Sequence, residues 1–157
     1  MTRLILIGAV LMLVSACTSS PLFSEATAVR IVSPAELAVV QTPVALQWQA
    51  TNVPPGTRFA VFIDRVPVHP GQNLRDITDL SCRHTAGCPD AARLATYGVL
   101  LTSGDSVSIP DVGQPSNLTL EDEPAVHRAT IVLVDPADHR LGESSYSVDF
   151  RVQASSD

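Results

Sequence analysis

Residues 146–152 read Tyr146-Ser147-Val148-Asp149-Phe150-Arg151-Val152, so apolar side chains alternate with polar ones over the whole stretch. This two-residue period is typical of a β-strand with one buried face and one face in water. The same alternation occurs in residues 43–50, where Val44, Leu46 and Trp48 share one face and glutamines lie on the other. The sequence therefore predicts a strand at each place, with Trp48 in the core.

Short β-type runs separated by turn residues continue along the chain, and no long amphipathic helix interrupts them. The runs at 58–66 and 127–135 are apolar on both faces and are predicted to be central strands. Shorter strands are predicted at 28–33, 37–40, 99–102 and 106–109, a helical turn near 91–97, and a hairpin turn at 135–142. This spacing predicts an all-β protein, an antiparallel β-sandwich of about seven to eight strands.

Three early segments resemble the first strands of immunoglobulin-like and fibronectin type III-like modules. They are Ile31-Val32-Ser33-Pro34, Pro43-Val44-Ala45-Leu46-Gln47-Trp48 and Phe59-Ala60-Val61-Phe62-Ile63-Asp64. The resemblance implies an immunoglobulin-like antiparallel β-sandwich with a buried tryptophan in an early strand. The inter-sheet disulfide of antibody domains is absent, because Cys82 and Cys88 are too close in sequence to bridge two sheets. The resemblance implies architecture only, since such sandwiches host many functions.

The N-terminus has the features of an export signal. Residues 4–14 form an apolar run behind Arg3, and this run is too short to span a bilayer. The segment Val14-Ser15-Ala16-Cys17 resembles the lipobox of bacterial lipoproteins. The resemblance implies that the signal peptide, residues 1–16, is removed and that Cys17 is acylated. Acyl chains on Cys17 would then hold the protein on membrane lipid.

The membrane that carries this anchor depends on the host envelope. Position 18 is threonine, whereas aspartate is the residue that retains many lipoproteins in the inner membrane. The resemblance therefore implies the outer membrane in a two-membrane bacterium. In a one-membrane bacterium, the exported domain would lie on the outer face of the cytoplasmic membrane, and the sequence leaves both alternatives open.

The mature chain is predicted to consist of a tether and one domain. Residues 17–27 show no periodic pattern, and the ten residues after Cys17 span at most about 33 Å. Residues 28–154 are sufficient for one sandwich domain with a sizeable core. The mature chain would lack Arg3 and so contain nine arginines and sixteen acidic residues. Its net charge of −7 argues against nucleic acid or anionic lipid as a partner.

The two cysteines other than Cys17 form a single pair, Cys82 and Cys88, which we expect to be disulfide-bonded in an oxidising compartment. The pair lies in residues 67–90, an irregular segment with several prolines and glycines. Loops of this length are usually functional or disordered, and a disulfide favours order. We therefore predict a candidate binding loop at 67–90. Its candidate binding residues are His69, Arg75, Arg83 and His84.

No metal site or cofactor is predicted. Zinc or copper could be bound by Cys82, His84, Cys88 and His69, which are ligand types that these metals prefer. Their spacing matches no established metal motif, and a disulfide would remove both thiolates from the set.

Catalytic motifs are not found either, so the sequence predicts a protein that is not an enzyme. The chain contains no Gly-x-Ser-x-Gly elbow, no phosphate-binding loop and no His-Glu-x-x-His motif. His127 could be activated by an aspartate such as Asp64 or Asp105, but nothing in the sequence brings them together. We expect His127 to be an exposed histidine at the edge of a strand.

Two classes of function remain open. The preferred one is a non-enzymatic, membrane-anchored envelope lipoprotein that binds another envelope protein near the membrane surface, as an accessory or assembly module. The alternative is a lipoprotein that binds a small ligand, such as a carbohydrate, peptide or metal, through residues 67–90. Aromatic residues make up only 4% of the chain, and this favours the first class because a sugar site needs aromatic stacking surfaces.

Overall fold

The computed structural model describes residues 27–110, 112 and 125–153 of the 157-residue chain. The predicted signal peptide, Cys17 and the tether before Thr27 lie outside these residues. Within them, eight strands form two sheets, and two short α-helices lie between strands β4 and β5. This confirms the predicted all-β sandwich. None of the helices described is long and apolar enough to cross a membrane.

The strands lie close to the runs predicted from the sequence. They are β1 Ala28–Ser33, β2 Ala38–Val40, β3 Val44–Thr51, β4 Arg58–Ile63, β5 Val99–Thr102, β6 Ser106–Ile109, β7 Ala125–Val134 and β8 Tyr146–Val152. The helices are α1 Leu80–Arg83 and α2 Ala91–Thr96, and a 3₁₀ turn covers Leu74–Ile77. Helix α2 confirms the predicted helical turn, whereas α1 and the 3₁₀ turn were not predicted.

The first segment of the domain takes part in both sheets. The three-stranded sheet has the order β1-β3-β6, and the five-stranded sheet has the order β2-β8-β7-β4-β5. Strand β1 pairs antiparallel with β3, whereas β2 pairs parallel with β8. The chain therefore crosses from one sheet to the other between Ser33 and Ala38. Strands β1-β3-β6 correspond to A-B-E of the immunoglobulin fold and strands β8-β7-β4-β5 to G-F-C-C′, with β2 added at the edge beside β8.

The main core lies between the two sheets. Trp48 is only 2% exposed, as its alternating pattern predicts, and its ring meets Phe59 edge-on with centroids 5.3 Å apart. On β8, Val148 and Phe150 are buried while Ser147 is exposed, which agrees with one wet face. The other large buried members of this core include Val44, Leu46, Val61, Ile109, Ile131 and Leu133.

A second core lies on the outer face of the five-stranded sheet. The connection between β4 and β5, residues 64–98, folds over this face, and we call it the cap. Its buried residues Val68, Leu74 and Leu94 pack in a cluster with outward-facing residues of β4, β5 and β7. Those strand residues are Ala60, Phe62, Val99, Val132 and Val134. The cap explains why β4 and β7 are apolar on both faces, as the sequence indicates.

Arg140, in the connection between β7 and β8, forms hydrogen bonds with the cap. Its Nη1 donates a hydrogen bond to the Val68 carbonyl at 2.7 Å, and its Nη2 donates to the Glu143 carbonyl at 2.9 Å. The backbone N–H of Gly71 donates to the Arg140 carbonyl, and the N–H of Arg140 donates to the Gln72 carbonyl, both at 2.9 Å. Strands β7 and β8 pair antiparallel, so the predicted hairpin is confirmed, and its connection also supports the cap.

Candidate functional site

The predicted disulfide between Cys82 and Cys88 is present in the cap, with the two Cα atoms 5.3 Å apart. Cys82 is buried in α1, and Cys88 is partly exposed in the loop that follows. Closing so short a loop contributes roughly 2 to 2.5 kcal/mol in the chain-entropy model. The bond therefore holds the local shape of the cap rather than the sandwich.

Asp79 links the two helices of the cap. Its Oδ1 accepts hydrogen bonds from the Ser81 hydroxyl at 2.5 Å and from the Cys82 N–H at 3.0 Å, which caps the N-terminus of α1. Its Oδ2 accepts from the Tyr97 hydroxyl at 3.1 Å and forms an ion pair with the Arg93 guanidinium. The Ser81 and Cys82 hydrogen bonds, with those from Tyr97 and Arg93, hold the pKa of Asp79 well below its usual range.

Tyr97 lies between two arginines at the end of α2. The guanidinium carbons of Arg65 and Arg93 are 6.0 and 5.6 Å from the centre of its ring, which is cation–π range. Arg65 also donates a hydrogen bond to the Tyr97 carbonyl at 2.7 Å. Asp90 caps α2 by accepting from the Arg93 N–H at 2.7 Å. The first residues of the cap, α1 and α2 are thus joined by one polar network.

A shallow depression of about 450 Å³ opens beside the disulfide. Its polar lining comes from Ser81, Thr85, Asp90 and Arg93. Leu80 directly precedes Ser81 and is 69% exposed, and Val66 near the start of the cap is 85% exposed. Among the described residues, these two are the most exposed large apolar side chains. The cap therefore combines a polar depression with outward apolar groups.

The four candidate binding residues predicted from the sequence are all exposed in the cap, but none of these four lines the depression. The guanidinium of Arg83 donates to the backbone carbonyls of Asp76, at 2.5 Å, and Thr78, at 3.3 Å. That side chain joins α1 to the preceding turn. His69, Arg75 and His84 stay candidates at other positions on the surface of the cap.

Cys82 and Cys88 in the lining of the depression were identified from the sequence, but the other residues that build the depression and its network were not. Asp79 and Asp90 carry a signal that was available, since each stands just before a helix at the position that favours aspartate. The contacts of Asp79 with Arg93 and Tyr97 carry no such signal, because they join residues 14 and 18 positions away.

His127 differs from its prediction, because it is 2% exposed rather than an exposed strand-edge residue. Its Nδ1 lies 2.7 Å from Oδ2 of Asp64, and the Arg128 N–H donates to Oδ1 of Asp64 at 2.8 Å. The His127 ring stacks on Phe150 with centroids 5.9 Å apart. The exposed-histidine prediction was wrong because His127 lies on the inward face of β7, with Ala129 and Ile131, and pairs across the strands with the buried Phe150. The pair of Asp64 and His127 joins the beginning of the cap to the sandwich.

The described residues form no metal centre, and the comparisons with known proteins assign no family. In residues 27–110, 112 and 125–153, no group of three or more His, Cys, Asp or Glu side chains is placed to hold a metal ion. Comparison with known proteins finds no protein-family model and no curated sequence that matches this chain.

Proposed function

We propose that the chain is a membrane-anchored envelope lipoprotein, without enzymatic activity, whose cap binds another envelope protein near the membrane surface. The lipobox-like segment ending in Cys17 supports the anchor. The observation that carries the binding surface is Leu80, an exposed apolar side chain on a segment held in shape by a disulfide and a polar network.

The composition of the cap is that of a protein interface. Exposed Leu80 can supply an apolar contact, while Arg93 and Tyr97 belong to the residue types that are enriched where proteins bind each other. The disulfide and the hydrogen bonds of Asp79 fix these groups before any partner arrives. A surface fixed in advance loses less conformational entropy on binding, so the same contacts give higher affinity.

A small ligand is the second candidate for the same surface. The depression has a volume of about 450 Å³ and presents the hydroxyls of Ser81 and Thr85 beside Arg93. Its size falls within the range of about 300 to 1,000 Å³ that is common for ligand sites. It is shallow, however, and ligand sites bury most of their ligand, so a protein partner is the better fit.

Site-specific photo-crosslinking distinguishes these candidates. A photoreactive amino acid replaces Leu80 in the lipidated protein, which is then irradiated in its own membranes. The matched control carries the same group at Val126, an exposed apolar position on β7 outside the cap. We expect one protein adduct from position 80 and none from position 126, because only position 80 lies in the proposed interface.

The cap variant Cys82→Ser/Cys88→Ser should weaken that adduct, since the interface loses its fixed shape. No protein adduct at position 80, or equal adducts at both positions, would contradict the proposal. An adduct at position 80 with the mass of a small molecule would favour the second candidate.

A further inference from the structure

The part of the cap that contains the disulfide, residues 79–88, is held mainly by contacts within itself. We call it the disulfide segment. Cys82 is buried, yet it belongs to neither of the two apolar clusters that the described residues form. The Thr85 N–H donates to the Cys82 carbonyl at 3.0 Å, and the Cys88 N–H donates to the Thr85 carbonyl at 3.2 Å. The covalent bond between Cys82 and Cys88 is therefore the main constraint on the shape of this segment.

The rest of the cap is attached to the sandwich by apolar packing. Leu74 in the 3₁₀ turn and Leu94 in α2 are fully buried in the cluster on the outer face of the five-stranded sheet. The disulfide segment lies between these two anchors in sequence, and its links to them are polar. Asp79 pairs with Arg93 at the surface, and Arg83 donates to backbone carbonyls of the preceding turn. The disulfide segment can therefore change shape while Leu74 and Leu94 stay in place.

The disulfide is accessible in the folded protein. Both cysteines line the shallow depression in the cap, which is open to solvent. Cys88 is partly exposed whereas Cys82 is 3% exposed, so an incoming group meets the sulfur of Cys88 first. Exposed disulfides are the ones that thiolates reduce readily, whereas buried structural disulfides resist reduction. The bond between Cys82 and Cys88 is placed like a disulfide of the first kind.

From this placement we propose that the Cys82–Cys88 disulfide is a redox switch for the binding surface of the cap. One thiolate of a dithiol reductant attacks the sulfur of Cys88 and forms a mixed disulfide, and the sulfur of Cys82 leaves as a thiolate. The second thiolate of the reductant then attacks its own bound sulfur, which releases the Cys88 thiolate. Two electrons pass from the reductant to the two cysteines, the reductant becomes a disulfide, and the cysteine thiolates take their protons from water. This inference rests on the proposed function, because the switch acts on the surface that binds the partner.

Reduction loosens the part of the cap that carries Leu80. Helix α1 has only four residues, and a helix of this length is not stable by itself. Without the disulfide, α1 and the loop after it lose their fixed shape, and Leu80 and the depression lose their fixed positions. The oxidised protein therefore binds the partner and the reduced protein binds it weakly. Because Leu94 stays buried against the sheet, the cap regains its shape when the bond forms again.

Reduction of the folded protein by dithiothreitol tests the accessibility of the bond. The lipidated wild type is treated in buffer and in urea, trapped with N-ethylmaleimide and measured by intact mass, while emission of the buried Trp48 reports the core. We expect two maleimide labels in buffer with unchanged Trp48 emission, because an acylated Cys17 has no free thiol. If the bond reacted only through global unfolding, reduction in buffer would be more than about a thousandfold slower than in urea. We expect a rate within about a hundredfold of that in urea, and a slower rate overturns the switch.

Photo-crosslinking from position 80 in native membranes tests the effect on binding. The protein adduct should fall on treatment with dithiothreitol to the level of Cys82→Ser/Cys88→Ser, and it should return on reoxidation with oxidised glutathione. The adduct of the Cys82→Ser/Cys88→Ser control should not respond to either reagent. An adduct that reduction leaves unchanged overturns the switch and keeps the proposed function. An equal fractional loss in the control also overturns the switch, because the reagent then acts on another protein. No adduct in either redox state overturns the proposed function and the switch together.

Discussion

Two carboxylates organise the cap, one where it meets the sandwich and one between its helices. Asp64 binds the His127 ring and the Arg128 N–H where the cap begins, and Asp79 connects α1 to Arg93 in α2. The contacts of Asp64 with His127 and Arg128, and of Asp79 with Arg93, join residues far apart in sequence, so no local sequence pattern predicts them. Each one can be removed by a change of one or two atoms, which makes its contribution measurable.

Replacing Asp79 with asparagine should destabilise the cap at neutral pH. The pKa of Asp79 is held below its ordinary value of 3.8, so its ionised form stabilises the folded state. That contribution is complete above pH 3.8 and is lost as the pH falls through the lower folded-state value. Thermal unfolding should therefore show a gap between wild type and Asp79→Asn at pH 7 that narrows on acidification below about pH 4.

The matched control for that experiment is Asp76→Asn, an exposed aspartate in the same cap. It should unfold like the wild type at pH 7. A gap for Asp79→Asn that is independent of pH would contradict the ionised-carboxylate account.

His127→Ala should lower the free energy of unfolding by about 3 kcal/mol, because it removes a buried ring that stacks on Phe150. His127→Phe keeps an aromatic ring beside Phe150, although a larger one, and loses the contact with Asp64, so a loss of about 1 to 2 kcal/mol is expected. Urea unfolding of both variants measures the difference. Equal losses would mean that packing of the ring is not the main contribution.

At the level of elements, the strands, helix α2 and the disulfide were predictable, and the packing of the cap against the sheet was not. Simple alternation of apolar and polar residues predicts the strands at 43–50 and 146–152. The apolar run in β7 correctly indicates that both faces of this strand are covered. Nothing in the sequence shows what covers the outer face. The element α1 is only four residues long, which is too short for a helical period to appear.

Leu94→Ala and Leu80→Ala form a matched pair within the cap. Leu94 is fully buried against the sheet, so its truncation should lower the free energy of unfolding by about 3 kcal/mol. Leu80 is mostly exposed, and its truncation should change stability by less than about 0.5 kcal/mol. Chemical denaturation tests both, and a large loss for Leu80→Ala would show that this side chain serves folding rather than binding.

Removal of the disulfide should loosen the cap and leave the sandwich intact. In Cys82→Ser/Cys88→Ser, amide hydrogen exchange should accelerate in α1 and the loop to residue 88, because the constraint on that short loop is gone. Amides of β7 and β8 should keep their protection. Faster exchange throughout the sandwich would contradict the local role of the bond.

For the whole molecule, the proposed function describes a sandwich that is anchored through Cys17 and binds its partner through the cap. The described domain begins at Thr27, which is bonded to Tyr146, and the cap covers the outer face near β4 and β5. The strand order alone assigns no function, since immunoglobulin-like sandwiches serve many roles. The function must therefore be tested at the cap and at Cys17.

Cys17→Ala should abolish the anchor without changing the domain. The variant lacks the thiol that would carry acyl chains, so the mature protein should appear in the soluble fraction rather than the membrane fraction. Intact mass and fractionation measure this, with Cys82→Ser/Cys88→Ser as the control that keeps Cys17. Membrane retention of Cys17→Ala would show that some other feature holds the protein there.

The binding role of the cap is tested most directly by affinity purification of the tagged, lipidated protein from mild-detergent extracts of its own membranes. Wild type is compared with Leu80→Glu, and Val126→Glu serves as an exposed control outside the cap. The account predicts one envelope protein at a fixed ratio with wild type and Val126→Glu, and its loss with Leu80→Glu. A protein that elutes alone in every case, or a partner that Leu80→Glu retains in full, would contradict it.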